Sequence, residues 1–192
     1  MNLRVKDLMT TGMYAALYFV HVAIGTLIAV ILLHSGNMLY APAFSALISG
    51  TVYFILIDKV KKFGAITLVG ITMALFFLLS GHFALSFLPF LICGIVADYM
   101  AKLGKYKQKL TNMVSYIIFS FGNFGPILFM WLAKDAYVQR LVEKGKDMAY
   151  IQNVMVEFDV WHIALLVVCS VIGGLIGQYM LEKHFRKAGL LS

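Results

Sequence analysis

Residues 8–33 read LMTTGMYAALYFVHVAIGTLIAVILL, a run with one histidine and no Asp, Glu, Lys or Arg. About 20 apolar residues suffice for a helix to cross the hydrocarbon layer of a bilayer. In lipid a helix is also the one local structure that satisfies every backbone N–H and C=O within a single segment. The run is too long for the apolar core of a signal peptide and no small-residue cleavage site follows a short apolar region, so it is expected to stay in the membrane as a span. Everything downstream has to fit beside it.

Five further apolar runs follow, giving six in all: Leu8–Leu33, Leu39–Ile57, Ala65–Leu79, Leu85–Met100, Met113–Ala133 and Trp161–Leu181. They are continuous and not alternating, which excludes a β-barrel. The whole chain of 192 residues is 61% hydrophobic and 13% charged, whereas soluble domains have about 45–50% apolar and about 25% charged residues. The expected fold is therefore an all-α integral membrane bundle of six transmembrane helices, forming one domain over residues 1–192. The third and fourth runs are short, consistent with tilt or with helices that begin in a protein-lined cavity. Cys93 and Cys169 lie inside apolar runs and read as small core residues.

The net charge of +7 raises the possibility of a nucleic-acid partner, and its distribution removes it. Twelve basic residues fall on one side of the six runs: Arg4, Lys6, Lys59, Lys61, Lys62, Lys102, Lys105, Lys107, Lys109, Lys183, Arg186 and Lys187. Four fall on the other, Lys134, Arg140, Lys144 and Lys146, beside the acidic Asp135, Glu143, Asp147, Glu157 and Asp159. Loops rich in Lys and Arg stay inside, so both termini are expected in the cytoplasm. Between Lys134 and Asp159 the outer loop is polar but keeps Tyr137/Leu141 and Ile151/Met155 at helical spacing, which predicts an amphipathic helix or lid.

No Walker A, His-Glu-x-x-His, Cys-x-x-Cys or Gly-x-Ser-x-Gly motif is present, and the histidines have no close metal-ligand spacing. Catalysis, a resident metal and a cofactor are accordingly not expected in this chain. A channel, a secondary transporter, an intramembrane binder and an assembly subunit remain.

Several local patterns narrow that set. They are Val5-Lys6-Asp7-Leu8 leading into Ala16-Leu17-Tyr18-Phe19, then Lys59-Val60-Lys61-Lys62-Phe63-Gly64, Gly81-His82, Cys93-Gly94-Ile95-Val96-Ala97-Asp98 and Gly104-Lys105-Tyr106-Lys107. Asp135-Ala136-Tyr137, Gly173-Gly174-Leu175-Ile176-Gly177, Lys183-His184-Phe185 and Lys187-Ala188-Gly189 complete them. In order and spacing these resemble the substrate-binding S components of energy-coupling factor (ECF) transporters, and within them the Trep_Strep or MptD-type group. Two positions depart from that group's usual pattern: Ser80 stands where Thr is typical before the Gly-His pair, and Lys134 where Arg often precedes the Asp-Ala-Tyr. Lysine keeps a point charge there but loses the bidentate fork.

The resemblance implies a protein of the prokaryotic cell membrane that captures a small vitamin- or cofactor-precursor-like molecule at the outer face. It implies two kinds of partner, a T component in the membrane and two ATPase subunits that use the ATP. It also places partner docking on the small residues Gly12, Ala15 and Ala16 of the first span, where close helix approach is possible. The alternative is a stand-alone secondary transporter or channel for a small solute.

Outer-face residues supply the candidate substrate contacts: His34, Asn37 and Tyr40; Ser80, His82 and Phe83; Asn123, Trp131, Lys134, Asp135 and Tyr137; Asp159, Trp161 and His162. Ligand pockets combine aromatic walls with a few oriented polar groups. His82 follows a glycine at the mouth of a short helix, and Asn123 lies in an apolar stretch where an unpaired amide is costly, so these two lead. Nickel or cobalt binding is not expected, because metal-transporting S components begin Met-His and this chain begins Met1-Asn2-Leu3. His21 inside the first span reads as a satisfied polar contact, and Asp98 as a structural carboxylate paired with Lys102 one turn on.

Overall fold

The computed structural model describes residues 3–33 and 37–187. Among these the secondary structure is helical: α1 (Val5–Leu33), α2 (Asn37–Val60), α3 (Ala65–Leu79), α4 (Leu88–Leu103), α5 (Lys109–Ser120), α6 (Gly125–Leu132), α7 (Lys134–Glu143), α8 (Met148–Val154) and α9 (Val160–Met180). A 3-10 turn at Phe121–Phe124 joins α5 to α6, and a π-helical segment at Leu181–Arg186 extends α9. Four segments are long and apolar enough to cross a membrane: Val5–Leu33, Met38–Val60, Lys109–Leu132 and Val160–Phe185. The intervening α3 and α4 have 15 and 16 residues. At 1.5 Å of rise per residue they reach about 22 and about 24 Å, against a hydrocarbon layer of about 30 Å.

The large helices close a cycle, α2 packing on α1 and α9, α9 on α5, α5 on α4, α4 on α3 and α3 back on α1. Small residues set how closely they approach. A Cβ built on Gly173 would lie 2.2 Å from the Ala46 carbonyl oxygen, and one on Gly177 would lie 2.5 Å from the Gly50 carbonyl carbon. The Gly-x-x-x-Gly spacing on α9 thus lets its backbone rest directly on α2.

One end of the bundle is fastened by polar contacts. Asp98 of α4, fully buried, accepts from the Gly64 and Thr67 backbone N–H groups at 2.8 and 2.9 Å and from Thr67 Oγ1 at 2.9 Å. Tyr106 Oη donates to its other oxygen at 3.0 Å. The first N–H groups of a helix lack intrahelical partners, and here a carboxylate from a neighbouring helix supplies them. Lys102, the expected partner of Asp98, instead places its ammonium 5.2 Å from the centre of the Phe63 ring. Three donors from the α3 start and a tyrosine already fill the Asp98 oxygens. Lys62 pairs with Asp7 at the same end and ties the start of α1 to the α2–α3 turn.

The run expected as one helix over Met113–Ala133 is broken. Pro126 cannot donate to the Gly122 carbonyl and its ring crowds the preceding turn. Gly122 and Gly125 let two parts of the chain press into the break. A Cβ at Gly122 would meet the Phe90 ring at 2.3 Å, and one at Gly125 would meet the Ser86 carbonyl oxygen at 2.1 Å. Asn123 lies in the 3-10 turn that results.

Candidate ligand cavity

Opposite the Asp98 end, the bundle is hollow. A cavity of about 510 Å³ lies between Phe19, Val22, Ala23 and Thr26 of α1, Met38, Ala41, Pro42 and Ser45 of α2, and Phe76 and Phe77 of α3. The helix break contributes Asn123, with Pro126 and Ile127 beside it; His82 comes from the α3–α4 connection, and Tyr150 and Val154 from α8. Small-molecule sites commonly enclose about 300–1,000 Å³ with mostly apolar walls, and this one fits that description.

Its walls are held by ring contacts. Phe19 and Phe76 meet edge to face with centroids 4.6 Å apart, and Phe77 packs on Phe90 at 5.5 Å. The His82 ring stands edge-on to Phe77 at 5.0 Å. Gly81, at φ 78°, makes the turn that presents it, a conformation that costs glycine nothing. Ser80 Oγ donates to the Phe77 carbonyl at 3.2 Å and lies 2.6 Å from His82 Nδ1. In the neutral imidazole Nδ1 either donates to Oγ, leaving Nε2 an acceptor, or accepts from it, leaving Nε2–H a donor. Burial, and then the nearby Lys144 ammonium, push the His82 imidazole below its ordinary range, favouring this neutral form.

Asn123 is another polar group on the wall, which also carries Thr26, Ser45 and Tyr150. Buried at 6% exposure, it donates through Nδ2 to Tyr18 Oη at 3.3 Å. Its Oδ1 has no partner among the described residues. A buried acceptor without a donor is disfavoured by about 1–3 kcal/mol, so a donor that reached this shielded oxygen would be favoured.

The loop from Lys134 to Asp159, expected as an amphipathic helix or lid, forms the two short helices α7 and α8. Tyr137 and Ile151 are buried beneath it. Asp147 Oδ1 caps α8 by accepting from the Tyr150 N–H at 2.7 Å, and Tyr150 and Val154, one turn apart, then line the cavity. Next to it, sharing Met38, His82, Tyr150 and Val154, a hollow of about 220 Å³ is edged by Arg140, Lys144 and Lys146. Lys144 Nζ donates to the Gly81 carbonyl and so bridges α7 to the His82 turn.

The other expected contacts separate from this site. Trp131 and Lys134 line a different hollow of about 350 Å³ with Val156, Glu157 and Phe158. The Trp131 indole N–H is spent on the Val156 carbonyl at 3.0 Å, so this ring fastens the segment leading to α9. His162 is buried edge-on against Tyr40 at 5.0 Å, with Nδ1 3.3 Å from Asp159 Oδ2, and lines no wall of the main cavity. Trp161 is 60% exposed and points away from it. His34 lies outside the described residues. Conversely, Phe19, Met38, Phe77 and Tyr150 line the cavity, and sequence reasoning singled out none of them for the site. Only the helical spacing of apolar residues around Tyr137 and Ile151 hinted that this loop would reach inward.

On α1, Gly12 and Ala16 are exposed, and nothing lies within 4 Å of a Cβ built at Gly12. Ala15, expected beside them, is only 2% exposed and packs into the bundle. It is about 100° around the helix from Ala16, enough to turn it against the bundle and leave Gly12 and Ala16 as the exposed small residues. His21 Nδ1 lies 2.8 Å from the Leu17 carbonyl of the preceding turn. Among the described residues, no three His, Cys, Asp or Glu side chains come together to hold a metal ion.

Comparison with curated proteins and with solved structures found no match. Several apolar helices long enough to cross a membrane mark a multi-pass membrane protein. A family model described as hypothetical bacterial integral membrane protein (Trep_Strep) matches residues 5–187, nearly the whole chain, and the protein belongs to that family.

Proposed function

We propose that this chain is the substrate-binding S component of an ECF-type ABC importer in the prokaryotic cell membrane. In this reading α3 and α4 also cross the bilayer, giving six spans. The basic Asp98 end and both termini face the cytoplasm, and the cavity faces outward. The chain carries out no covalent chemistry and holds no cofactor; a T component and two ATPase subunits supply the coupling and consume the ATP. The substrate is a small vitamin- or cofactor-precursor-like molecule, captured outside and released inside.

The observation that carries this reading is the cavity itself, about 510 Å³ with aromatic walls, a few polar groups among them His82 and Asn123, and a short helix across it. The exposed Gly12 and Ala16 add a face of α1 on which a partner helix can lie closely. Co-expression of the tagged chain with T and ATPase subunits tests it. Recovery of a stable four-subunit complex is expected, and Gly12→Leu with Ala16→Leu should abolish it while leaving ligand binding intact. If no complex forms with any genomically adjacent or shared T and ATPase subunits, the chain works alone, as a secondary transporter or channel.

A further inference from the structure

The cavity described above has an electrostatic asymmetry that specifies its ligand more closely. Its deep wall carries no charged side chain. Among its polar groups, the Thr26 and Ser45 hydroxyls donate to the Val22 carbonyl, Asn123 Oδ1 is a buried acceptor without a partner among the described residues, and the His82 ring and Tyr150 phenol complete the set. The adjoining mouth is edged by Arg140, Lys144 and Lys146, and no carboxylate lines it. Glu143 pairs with Arg140 at 3.7 Å, so Arg140 reaches the mouth as half of an exposed ion pair, and Asp147 caps α8. In the proposed orientation four of the sixteen basic residues lie on the outer side. Three of those four converge on this one mouth, where topology alone gives no reason for positive charge.

We infer that the ligand is an amphiphilic organic anion: a ring or compact apolar body carrying an N–H or O–H donor, with an anionic group at one end. The inference rests on the substrate-binding reading and names the class of substrate. The body fills the space between Phe19, Phe77 and Ile127, its donor meets Asn123, and its anionic group sits among Arg140, Lys144 and Lys146. Charge-assisted hydrogen bonds at a partly desolvated mouth are the strong ones. They select for the anion, whereas apolar burial and the Asn123 amide set the depth and orientation of the body.

Three ring acids, phenylacetate, indole-3-acetate and naphthalene-1-acetate, serve as probes beside their neutral amides and the corresponding ethylamines. Binding is measured calorimetrically on the full chain in lipid nanodiscs. At least one acid is expected to bind about tenfold or more tightly than its amide, with the amine weakest, and added salt should compress the difference. Arg140→Gln with Lys146→Gln should bring acid and amide to within about twofold. Lys144 is left in place because it holds the Gly81 turn. Ala41→Phe or Ala23→Phe, checked for intact folding by thermal unfolding, should block all binding by filling the cavity.

If amides or amines bind as well as the acids and Ala41→Phe or Ala23→Phe still blocks them, the cavity binds ligand but the charge preference is overturned. If no probe in the set binds, or if the cavity-filling variants leave binding unchanged, both this inference and the substrate-binding reading of the cavity fall.

Discussion

Two buried side chains, Asp98 toward one end of this bundle and Asn123 toward the other, have their hydrogen bonds met in opposite ways. At the Asp98 end, a buried carboxylate accepts from four donors drawn from the start of α3 and from Tyr106, and every one is protein. At the cavity end, Asn123 Oδ1 is equally deep yet has no partner among the described residues. Internal saturation rigidifies, because removing any member orphans the others. An incomplete set leaves a polar group whose burial is uncompensated.

The largest effect that would test this contrast is the loss of Asp98. Asp98→Ala leaves the donors of Gly64, Thr67 and Tyr106 buried without an acceptor, and should destabilise the protein by about 3 kcal/mol or more. A lowered unfolding temperature in detergent is the readout. A shift no larger than that of an exposed control such as Lys107→Ala would remove the distinction between the two ends. Next in size is Gly177→Ala at the α2–α9 contact, where a Cβ would sit 2.5 Å from the Gly50 backbone. An expected loss of about 1–3 kcal/mol follows from overpacking against backbone that has no free space to move into.

Asn123→Leu sharpens the comparison from the other side. It removes the donor to the buried Tyr18 hydroxyl, so stability should fall by about 1–3 kcal/mol, while retention of a cavity ligand in size-exclusion or calorimetric assays falls about tenfold or more. A stability loss matching that of Asp98→Ala would instead make Asn123 part of the scaffold. The smallest effect is the pH response of His82. Its folded pKa lies below the ordinary histidine value of 6.5, so the unfolded state takes up a proton first as pH falls. Stability is then full above about pH 6.5 and declines as pH drops toward the folded value. His82→Asn should flatten that part of the unfolding-temperature profile, and an unchanged slope would show that the ring is not the group responding.

How far the residues alone led differs between these regions. The first and third apolar runs correspond closely to α1 and α3, because hydrophobicity that is continuous over a whole segment leaves no competing structure in lipid. The interruption of the fifth run was legible only as its ingredients, Gly122, Gly125 and Pro126. Where the helix breaks depended on Phe90 of α4 and Ser86 of the α3–α4 connection pressing against those glycines. For the site, a glycine-presented histidine and an amide in an apolar stretch were enough to single out His82 and Asn123, which share one cavity. Trp131, Trp161 and His162 carried the same kind of signal, an aromatic or polar group near the outer face, and the fold sends them elsewhere. Ala15 shows the same limit on α1, since spacing identifies small residues but not the side of the helix a neighbour will cover.

By itself, then, the amino-acid sequence determined that this is an all-helical membrane protein, which segments are apolar, and that its positive charge is lopsided. These are properties of composition along the chain, and transfer from water to lipid acts on each segment almost independently. Tertiary structure alone decided which polar groups are satisfied and which are left open. It placed the Asp98 oxygens under the start of α3, folded α8 over the cavity and brought Lys144 to the Gly81 turn, contacts between residues 31 to 63 positions apart in the Asp98 and Lys144 cases. Hydrogen-bond satisfaction depends on distances of a few tenths of an ångström between segments remote in sequence, and no local pattern of residues encodes those.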